Sequence, residues 1–265
     1  MVQSLATFPD VLSFLFKKRP KPEATLGPLI PDRLLYAVGD IHGRADLLEL
    51  MLEAIAADAG TAEGDLVFLG DYIDRGPDSA AVLERLRGLQ VGNLDVTCLM
   101  GNHERMLLSF LDDPLQGQMW LRYGGLETTS DFVLTRAALE TGATPMETLR
   151  DRLEEAIAPD LLNWLRGLPL SFLSGNAGCL HGMADPNVSW ESQSESVLLW
   201  ARPARGSTPR ADGIWVIHGH TVVATAERDA GRICVDTGAY KSGVLSAARC
   251  ERGDIRFLSV VGQTQ

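Results

Sequence analysis

Histidine and acidic residues are concentrated in five short segments, each of which follows an apolar run. The segments read GDIHG at 39–43, GDYIDRG at 70–76, GNHE at 101–104, HG at 181–182 and HGH at 218–220. All five histidines of the chain lie within them. Histidines that served only as packing or surface residues would be scattered, so this confinement predicts a metal site.

The kinds of ligand in these segments narrow both the metal and the chemistry. They supply imidazoles, carboxylates and the amide of Asn102, but no thiolate. This mixture suits manganese, iron or zinc better than a soft metal. There are enough donors for two ions, and ions about 3.5–4 Å apart can activate a shared water and bind a phosphoryl group. We therefore predict two divalent metal ions, Mn²⁺ first with Fe or Zn as alternatives, and hydrolysis of phosphoesters.

Two residues of the second segment fit this chemistry in particular. Asp71 is a candidate bridge between the ions, because its strand lies between the other two early donor-bearing strands in chain order. Arg75 follows Asp74, and a guanidinium matches the equatorial oxygens of a transferring phosphoryl group. Arg75 is therefore a predicted phosphate ligand.

The elements that must position these segments alternate between strand and helix. Apolar runs at 34–38, 66–69 and 96–100 predict strands, and the spacing of Leu47, Met51 and Ile55 predicts a helix between the first two. Strands and helices joined by short connections predict an α/β core, in which sites form where the strands end. A second sheet packed on the first is predicted from the later apolar runs at 178–180, 214–217, 232–235, 244–250 and 255–260.

The distribution of proline and of apolar periodicity predicts the domain organisation. Residues 1–32 are predicted to form a tail and a proline-rich linker, since four prolines fall between positions 20 and 31. Residues 33–262 are predicted to form one domain, in which 104–168 make a mainly helical insert beside the site.

Composition excludes some partners and compartments. The formal net charge of −11 argues against a nucleic-acid polymer as partner. The apolar stretches are too short for a transmembrane segment. The four cysteines form no CxxC pair, so we expect buried free thiols in a reducing compartment, the cytoplasm.

The five segments, in this order, resemble the signature blocks of the phosphoprotein phosphatases, which include bacterial and bacteriophage serine/threonine phosphatases and the related symmetrical diadenosine tetraphosphatases. The resemblance extends from about Leu34 to Gly262. GDYIDRG together with GNHE is specific to this family among the metallophosphoesterases. The closing segment CVDTGAYKSGVLSA at 234–247 also resembles bacterial members. The implied fold is the calcineurin-like metallophosphoesterase sandwich of four αββα layers with a helical insert.

The resemblance also implies a role for each site residue. It places one metal on Asp40, His42 and a bridging Asp71. It places the second metal on Asp71, Asn102, His181 and His220. It makes His103 the general acid, oriented by Asp74, and Arg75 a phosphate ligand. The second phosphate arginine of the family matches Arg202, with Arg205 as the alternative.

Several interpretations stay open at this point. The leading hypothesis is a serine/threonine protein phosphatase, which acts on phosphoserine or phosphothreonine in a phosphorylated protein. The alternative is a hydrolase of a small phosphoester, the dinucleoside polyphosphate diadenosine tetraphosphate. A binding module without activity would lack a ligand or the acid, and none is missing. His218 is interpreted either as a support for a ligand or as a buried residue. Trp120 and Tyr123 are interpreted as packing anchors of the insert, with a place at the pocket rim as the alternative.

Overall fold

The computed structural model describes residues 26–133, 145–204 and 208–262. Within these ranges, ten strands form two sheets of five strands each. The strands are β1 Leu34–Val38, β2 Gly64–Phe68, β3 Leu94–Cys98, β4 Ser171–Ser174, β5 Ala177–Leu180, β6 Trp215–His218, β7 Glu227–Asp229, β8 Arg232–Cys234, β9 Val244–Glu251 and β10 Asp254–Val261.

The helices of the described residues are short, and most of them lie in the first two thirds of the chain. A π-helical turn, Leu121–Gly125, connects two of them, and the other helical turns are Pro114–Gln116 and Trp190–Ser192. The helices are α1 Ala45–Ala59, α2 Ser79–Leu86, α3 Asn102–Asp112, α4 Gly117–Trp120, α5 Leu126–Phe132, α6 Met146–Ala156, α7 Pro159–Arg166, α8 Glu195–Trp200 and α9 Ala239–Ser242.

Each sheet contains three adjacent parallel strands. The first sheet has the order β10-β9-β1-β2-β3, with β1, β2 and β3 parallel. The second has the order β4-β5-β6-β8-β7, with β5, β6 and β8 parallel. The carboxyl ends of parallel strands meet at one edge of a sheet, so the loops that follow them are brought together.

Apolar side chains fill three layers of core. Leu35 and Val67 of the first sheet pack against Cys179 and Ile217 of the second. The outer face of the first sheet packs against α1, α2 and the insert helices, whereas α8 and Trp190 cover the second sheet. The arrangement is the predicted four-layer αββα sandwich.

The last two strands correct the expectation that all the late strands form a second sheet. β9 pairs antiparallel with β1, and β10 pairs with β9, so both belong to the first sheet. An apolar pattern indicates that a strand is buried, but it does not name the neighbour with which that strand pairs. β4 and β7 were not predicted because neither has an apolar run, and all three residues of β7 are exposed.

The segment just before the predicted domain boundary contributes to the core. Leu29, within the segment expected to be a linker, is only 1% exposed and lies in the core between the sheets. The insert contains α3 to α7, while 134–144 lie outside the described residues, as do 1–25. The boundary at Arg33 stays a prediction.

Among the described residues, no helix has the length and apolar character needed to cross a bilayer.

Helix α1 provides a matched test of this packing. Leu48 is fully buried against the first sheet, whereas Leu50 on the same helix is 40% exposed. We expect Leu48→Ala to lower the free energy of unfolding by about 2–5 kcal/mol, because it leaves a cavity. Leu50→Ala should cost roughly 0.5 kcal/mol or less. Equal losses for the two variants in urea titrations would contradict the placement of α1.

Candidate metal centre and catalytic site

The loops that follow the parallel strands of both sheets meet at one edge of the sandwich. They carry the six predicted metal ligands. Five of these, all except the partly buried His220, are no more than 4% exposed. The six predicted ligands are Asp40, His42, Asp71, Asn102, His181 and His220. Residues separated by up to 180 positions are thus brought into hydrogen-bonding distance.

The backbone of these loops is unusual. Seven non-glycine residues of the described chain have positive φ, and five of them are at this site. Such conformations cost free energy and persist only where the surrounding structure holds them. The five are His42, Asp71, Asp74, Arg75 and His220.

Glu104 holds the loop that carries Asp71. Its carboxylate accepts hydrogen bonds from the backbone nitrogens of residues 71, 72, 73 and 101, at 2.7–3.2 Å. The approach is so close that a Cβ on Gly101 would overlap the backbone nitrogen and carboxylate of Asp71. The sequence analysis assigned no role to Glu104, although a glutamate in the first turn of a helix is a known signal for capping by side chains.

A first group of donors surrounds the amide oxygen of Asn102. Asn102 Oδ1 lies 2.8 Å from His181 Nε2 and 3.0 Å from His220 Nδ1. Asp71 Oδ1 lies 3.3 Å from the same His181 nitrogen. Carboxylate, amide oxygen and two imidazoles therefore converge on a small volume.

A second group forms on the other oxygen of Asp71. Asp71 Oδ2 lies 3.6 Å from His42 Nε2 and 3.8 Å from His103 Nε2. Asp71 thus belongs to both groups of residues that could hold a metal ion. This is the position that the sequence analysis predicted for a bridging ligand.

Backbone carbonyls fix the orientation of two histidines. His42 Nδ1 lies 2.8 Å from the carbonyl oxygen of Ile73, and His181 Nδ1 lies 3.0 Å from that of Leu69. A carbonyl oxygen only accepts, so Nδ1 must donate in both residues. Nε2 therefore faces the centre, as in histidines whose other nitrogen is held for metal binding.

Asp40 lies beside the two groups and not within either. Its carboxylate accepts from the backbone nitrogen of His220 at 3.1 and 3.2 Å. Burial raises the pKa of Asp40 well above its usual value, and the nearby charges of Asp236 and Asp71 add to this. Asp236, to which no role was assigned from the sequence, is therefore a further buried carboxyl group at the centre.

Asp71 shows the opposite shift. Burial would raise its pKa, but His181 and His103 outweigh burial and hold the pKa well below its usual value. The centre is therefore built so that positive charge next to Asp71 is strongly favoured. Divalent cations provide such charge, and the oxygen and nitrogen donors present suit them.

His103, which belongs to the second group, forms a buried pair with Asp74. His103 Nδ1 lies 2.6 Å from Asp74 Oδ2. Burial alone would lower the pKa of His103, but Asp71 and Asp74 outweigh it and raise the pKa. Protonated imidazole is therefore favoured, as a proton donor requires.

Two insert residues hold Asp74 in place. The indole nitrogen of Trp120 donates to Asp74 Oδ2 at 2.9 Å, and the hydroxyl of Thr128 donates to Asp74 Oδ1 at 2.6 Å. Trp120 also stacks on Phe110. Its interpretation as a packing anchor was therefore incomplete, and Thr128 was missed. Trp120 and Thr128 follow Asp74 by 46 and 54 positions in the chain, and no sequence pattern predicts contacts over such separations.

The predicted phosphate arginines lie at different places. The guanidinium nitrogens of Arg75 lie 2.9 Å from His42 Nε2 and 2.8 Å from His103 Nε2. Its guanidinium lies over the ring of Tyr240, at 5.0 Å from the ring centre. Arg202 is exposed on the rim, close enough that its charge helps burial and His181 to lower the pKa of His220 to about 4. Arg205, the alternative, lies outside the described residues.

His218 belongs to neither donor group. It is buried, and its Nδ1 donates to the carbonyl oxygen of Gly219 at 2.9 Å. Burial lowers its pKa to about 4. It is therefore a buried neutral histidine behind the loop that carries His220.

Comparison with known proteins agrees with this geometry. A family model described as calcineurin-like phosphoesterase matches residues 34–236. The chain is 30% identical over 227 residues to serine/threonine-protein phosphatase 2 of Escherichia coli K12, covering 81% of this chain and 91% of that protein. It is 34% identical over 131 residues to a symmetrical bis(5'-nucleosyl)-tetraphosphatase of Cellvibrio japonicus, covering 49% of this chain and 37% of that protein.

The structural comparison agrees on the fold. A solved protein serine/threonine phosphatase from Saccharomyces cerevisiae superposes with a TM-score of 0.53 at 17% identity, covering 89% of this chain and 82% of that one. The chain belongs to the calcineurin-like phosphoesterase family. The resemblance to the phosphoprotein phosphatases and the predicted fold are confirmed. The protein is a hydrolase of phosphoester bonds that depends on divalent metal ions.

The shared oxygen of Asp74 gives a test of how the insert tunes His103. Trp120→Phe keeps an aromatic ring against Phe110 but removes the N–H that competes with His103 for Asp74 Oδ2. Asp74 then stabilises the imidazolium more strongly, so the pKa of His103 should rise further.

NMR titration of the His103 ring, without paramagnetic metal, measures this shift. Phe110→Leu is the control, because it alters the same ring pair and leaves the hydrogen bonds of Asp74 intact. An unchanged or lower pKa of His103 in Trp120→Phe would show that the indole does not act on the pair.

Proposed function

We propose that the protein removes phosphate from phosphoserine or phosphothreonine in proteins, using a water activated by two metal ions. The observation that carries the proposal is the pair of donor groups that share Asp71, one of which includes His103 of the buried His103–Asp74 pair. The match to the Escherichia coli phosphatase over 91% of its length supports a protein substrate. The tetraphosphatase match covers only 37% of its relative.

The donors divide between the two ions as the family resemblance implies. Asp40, His42 and Asp71 would hold one ion. The second would be held by Asp71, Asn102, His181 and His220. Bound there, two cations supply Lewis acidity that activates a water and neutralises charge on the phosphoryl group. We propose Mn²⁺ as the native metal, with Fe or Zn as alternatives, because the donors are nitrogen and oxygen.

Residues of the chain supply the remaining steps. His103, protonated and held by Asp74, would give its proton to the leaving oxygen of the substrate. Arg75 contacts both His42 and His103, so a phosphate bound beside these histidines would be within its reach. Arg202 on the rim would supply the second guanidinium. General acid catalysis of this kind is worth roughly 10²–10⁴-fold in rate.

The cytoplasm is the compartment that we propose. All four cysteines of the chain are unpaired and buried. Burial raises the pKa of Cys98 to about 12, and that of Cys250 likewise to about 12. These thiols are therefore protonated, as is expected of structural cysteines in a reducing compartment.

A direct comparison of substrates tests the proposed function. We expect kcat/KM for a phosphothreonine peptide to exceed that for diadenosine tetraphosphate at least about tenfold, a difference of roughly 1.4 kcal/mol in transition-state binding. Hydrolysis of both substrates should require added Mn²⁺ and should be abolished by a chelator. A preference for the dinucleotide would replace the proposal with the tetraphosphatase alternative.

The role of His103 has its own test. His103→Asn should lower kcat roughly 10²–10⁴-fold, because the proton donor is lost, while the bound metal measured by mass spectrometry stays as in wild type. The same substitution at His218, a buried histidine of neither donor group, is the matched control. Wild-type turnover in His103→Asn with full metal content would remove His103 from the mechanism.

A further inference from the structure

A groove leads away from the catalytic centre on the side of Tyr240. One wall is the segment 222–224, which follows His220, and the other is α9. The groove has a volume of about 380 Å³. Its lining includes Val222, Val223, Tyr240 and Lys241.

One wall contacts the site through Tyr240, and the other follows the site residue His220 in the chain. The Tyr240 ring lies 5.3 Å from the ring of His42, centre to centre, and carries the Arg75 guanidinium over it at 5.0 Å. Val222 follows His220 by two residues. A phosphoryl group held between His42, His103 and Arg75 would therefore lie next to the Tyr240 end of this groove.

The first wall is apolar and open to solvent. Val222 is 57% exposed, one of the larger exposures among the apolar side chains of the described residues. It packs close to the backbone of Gly238, where an added Cβ would lie 3.1 Å from Val222 Cγ1. An exposed apolar wall next to a catalytic centre indicates a binding surface.

The second wall carries the exposed ammonium group of Lys241. Lys17, Lys18 and Lys21 precede residue 26, so Lys241 is the only lysine between positions 26 and 262. It is exposed, and within the described ranges no carboxylate lies at ion-pair distance from it. The chain has a net charge of −11. A free cation at the rim of the site therefore opposes the overall charge and attracts anionic groups locally.

We propose that this groove, the Val222–Lys241 groove, binds the polypeptide next to the phosphorylated residue. Its valine wall accepts an apolar side chain, and Lys241 selects a carboxylate within a few residues of the phosphate. The inference rests on the proposed protein phosphatase activity and names its substrate class, phosphoproteins with acidic and apolar residues beside the target residue.

The lining favours a peptide over a nucleoside. Aromatic faces on which a purine could stack are few in this groove. Tyr240 is the only aromatic residue of the groove lining in the described part of the chain, and Arg75 already covers one of its faces. Valine methyl groups on the opposite wall suit an aliphatic side chain.

Peptide kinetics test the role of Lys241. A series of phosphothreonine peptides places one Glu, or Gln in its stead, at each of three positions on either side of the phosphothreonine. For wild type we expect the Glu peptide to exceed its Gln partner about fivefold in kcat/KM at one or more positions, the size of an exposed charge pair at its upper limit. In Lys241→Met the ratio should fall to about one, and in Lys241→Glu it should fall below one.

Arg252→Glu is the matched control. Arg252 lies in the β9–β10 turn, at the opposite end of the sheet from the site, because β9 runs antiparallel to β1. Arg252→Glu changes the net charge by the same amount as Lys241→Glu, but far from the groove. The Glu/Gln ratio of this variant should therefore keep its wild-type value. A ratio that falls equally in both variants would assign the preference to overall charge and overturn the proposal.

Two other outcomes are distinguishable. Phosphopeptide turnover with the same Glu/Gln ratio in wild type and Lys241→Glu would overturn the groove assignment and leave the proposed function intact. A wild-type enzyme that hydrolyses diadenosine tetraphosphate but no phosphopeptide would overturn both. In that case, a loss of dinucleotide turnover in Lys241→Glu would assign the groove to the nucleotide.

Discussion

The burial of acidic groups at one edge of the sandwich is the constraint on which the rest of the structure depends. Asp40, Asp71 and Asp236 are each no more than 3% exposed, and they lie close enough to alter one another's ionisation. Burying anions together costs several kcal/mol per ion unless nearby positive charge compensates. The inward-facing imidazoles, the guanidinium of Arg75 and, when bound, divalent cations provide that compensation.

The scaffold around this charge is correspondingly rigid. Loops with positive φ bring Asp71 and Asp74 to the centre, and Glu104 holds four backbone nitrogens of the loop and its neighbour Gly101. Behind these, the parallel strands of two sheets fix the edge from which the loops emerge. Local strain of this kind is typical of sites whose geometry is set before the substrate arrives.

The sequence was informative where a pattern is local. The apolar run at 34–38 and the spacing of residues 47–55 predicted β1 and α1, and the confinement of histidine to strand exits predicted where the donors meet. Contacts that depend on distant segments were not predictable. Trp120 and Thr128 reach Asp74 across the insert, and β9 pairs with β1, because an apolar period specifies burial and not partners. Exposed strands such as β7 leave no apolar pattern at all.

Anomalous diffraction from crystals grown with Mn²⁺ would show whether two cations share Asp71. We expect two anomalous peaks about 3.5–4 Å apart, one next to His42 and one next to Asn102, with the Asp71 carboxylate between them. A single peak, or two peaks that do not share Asp71, would contradict it.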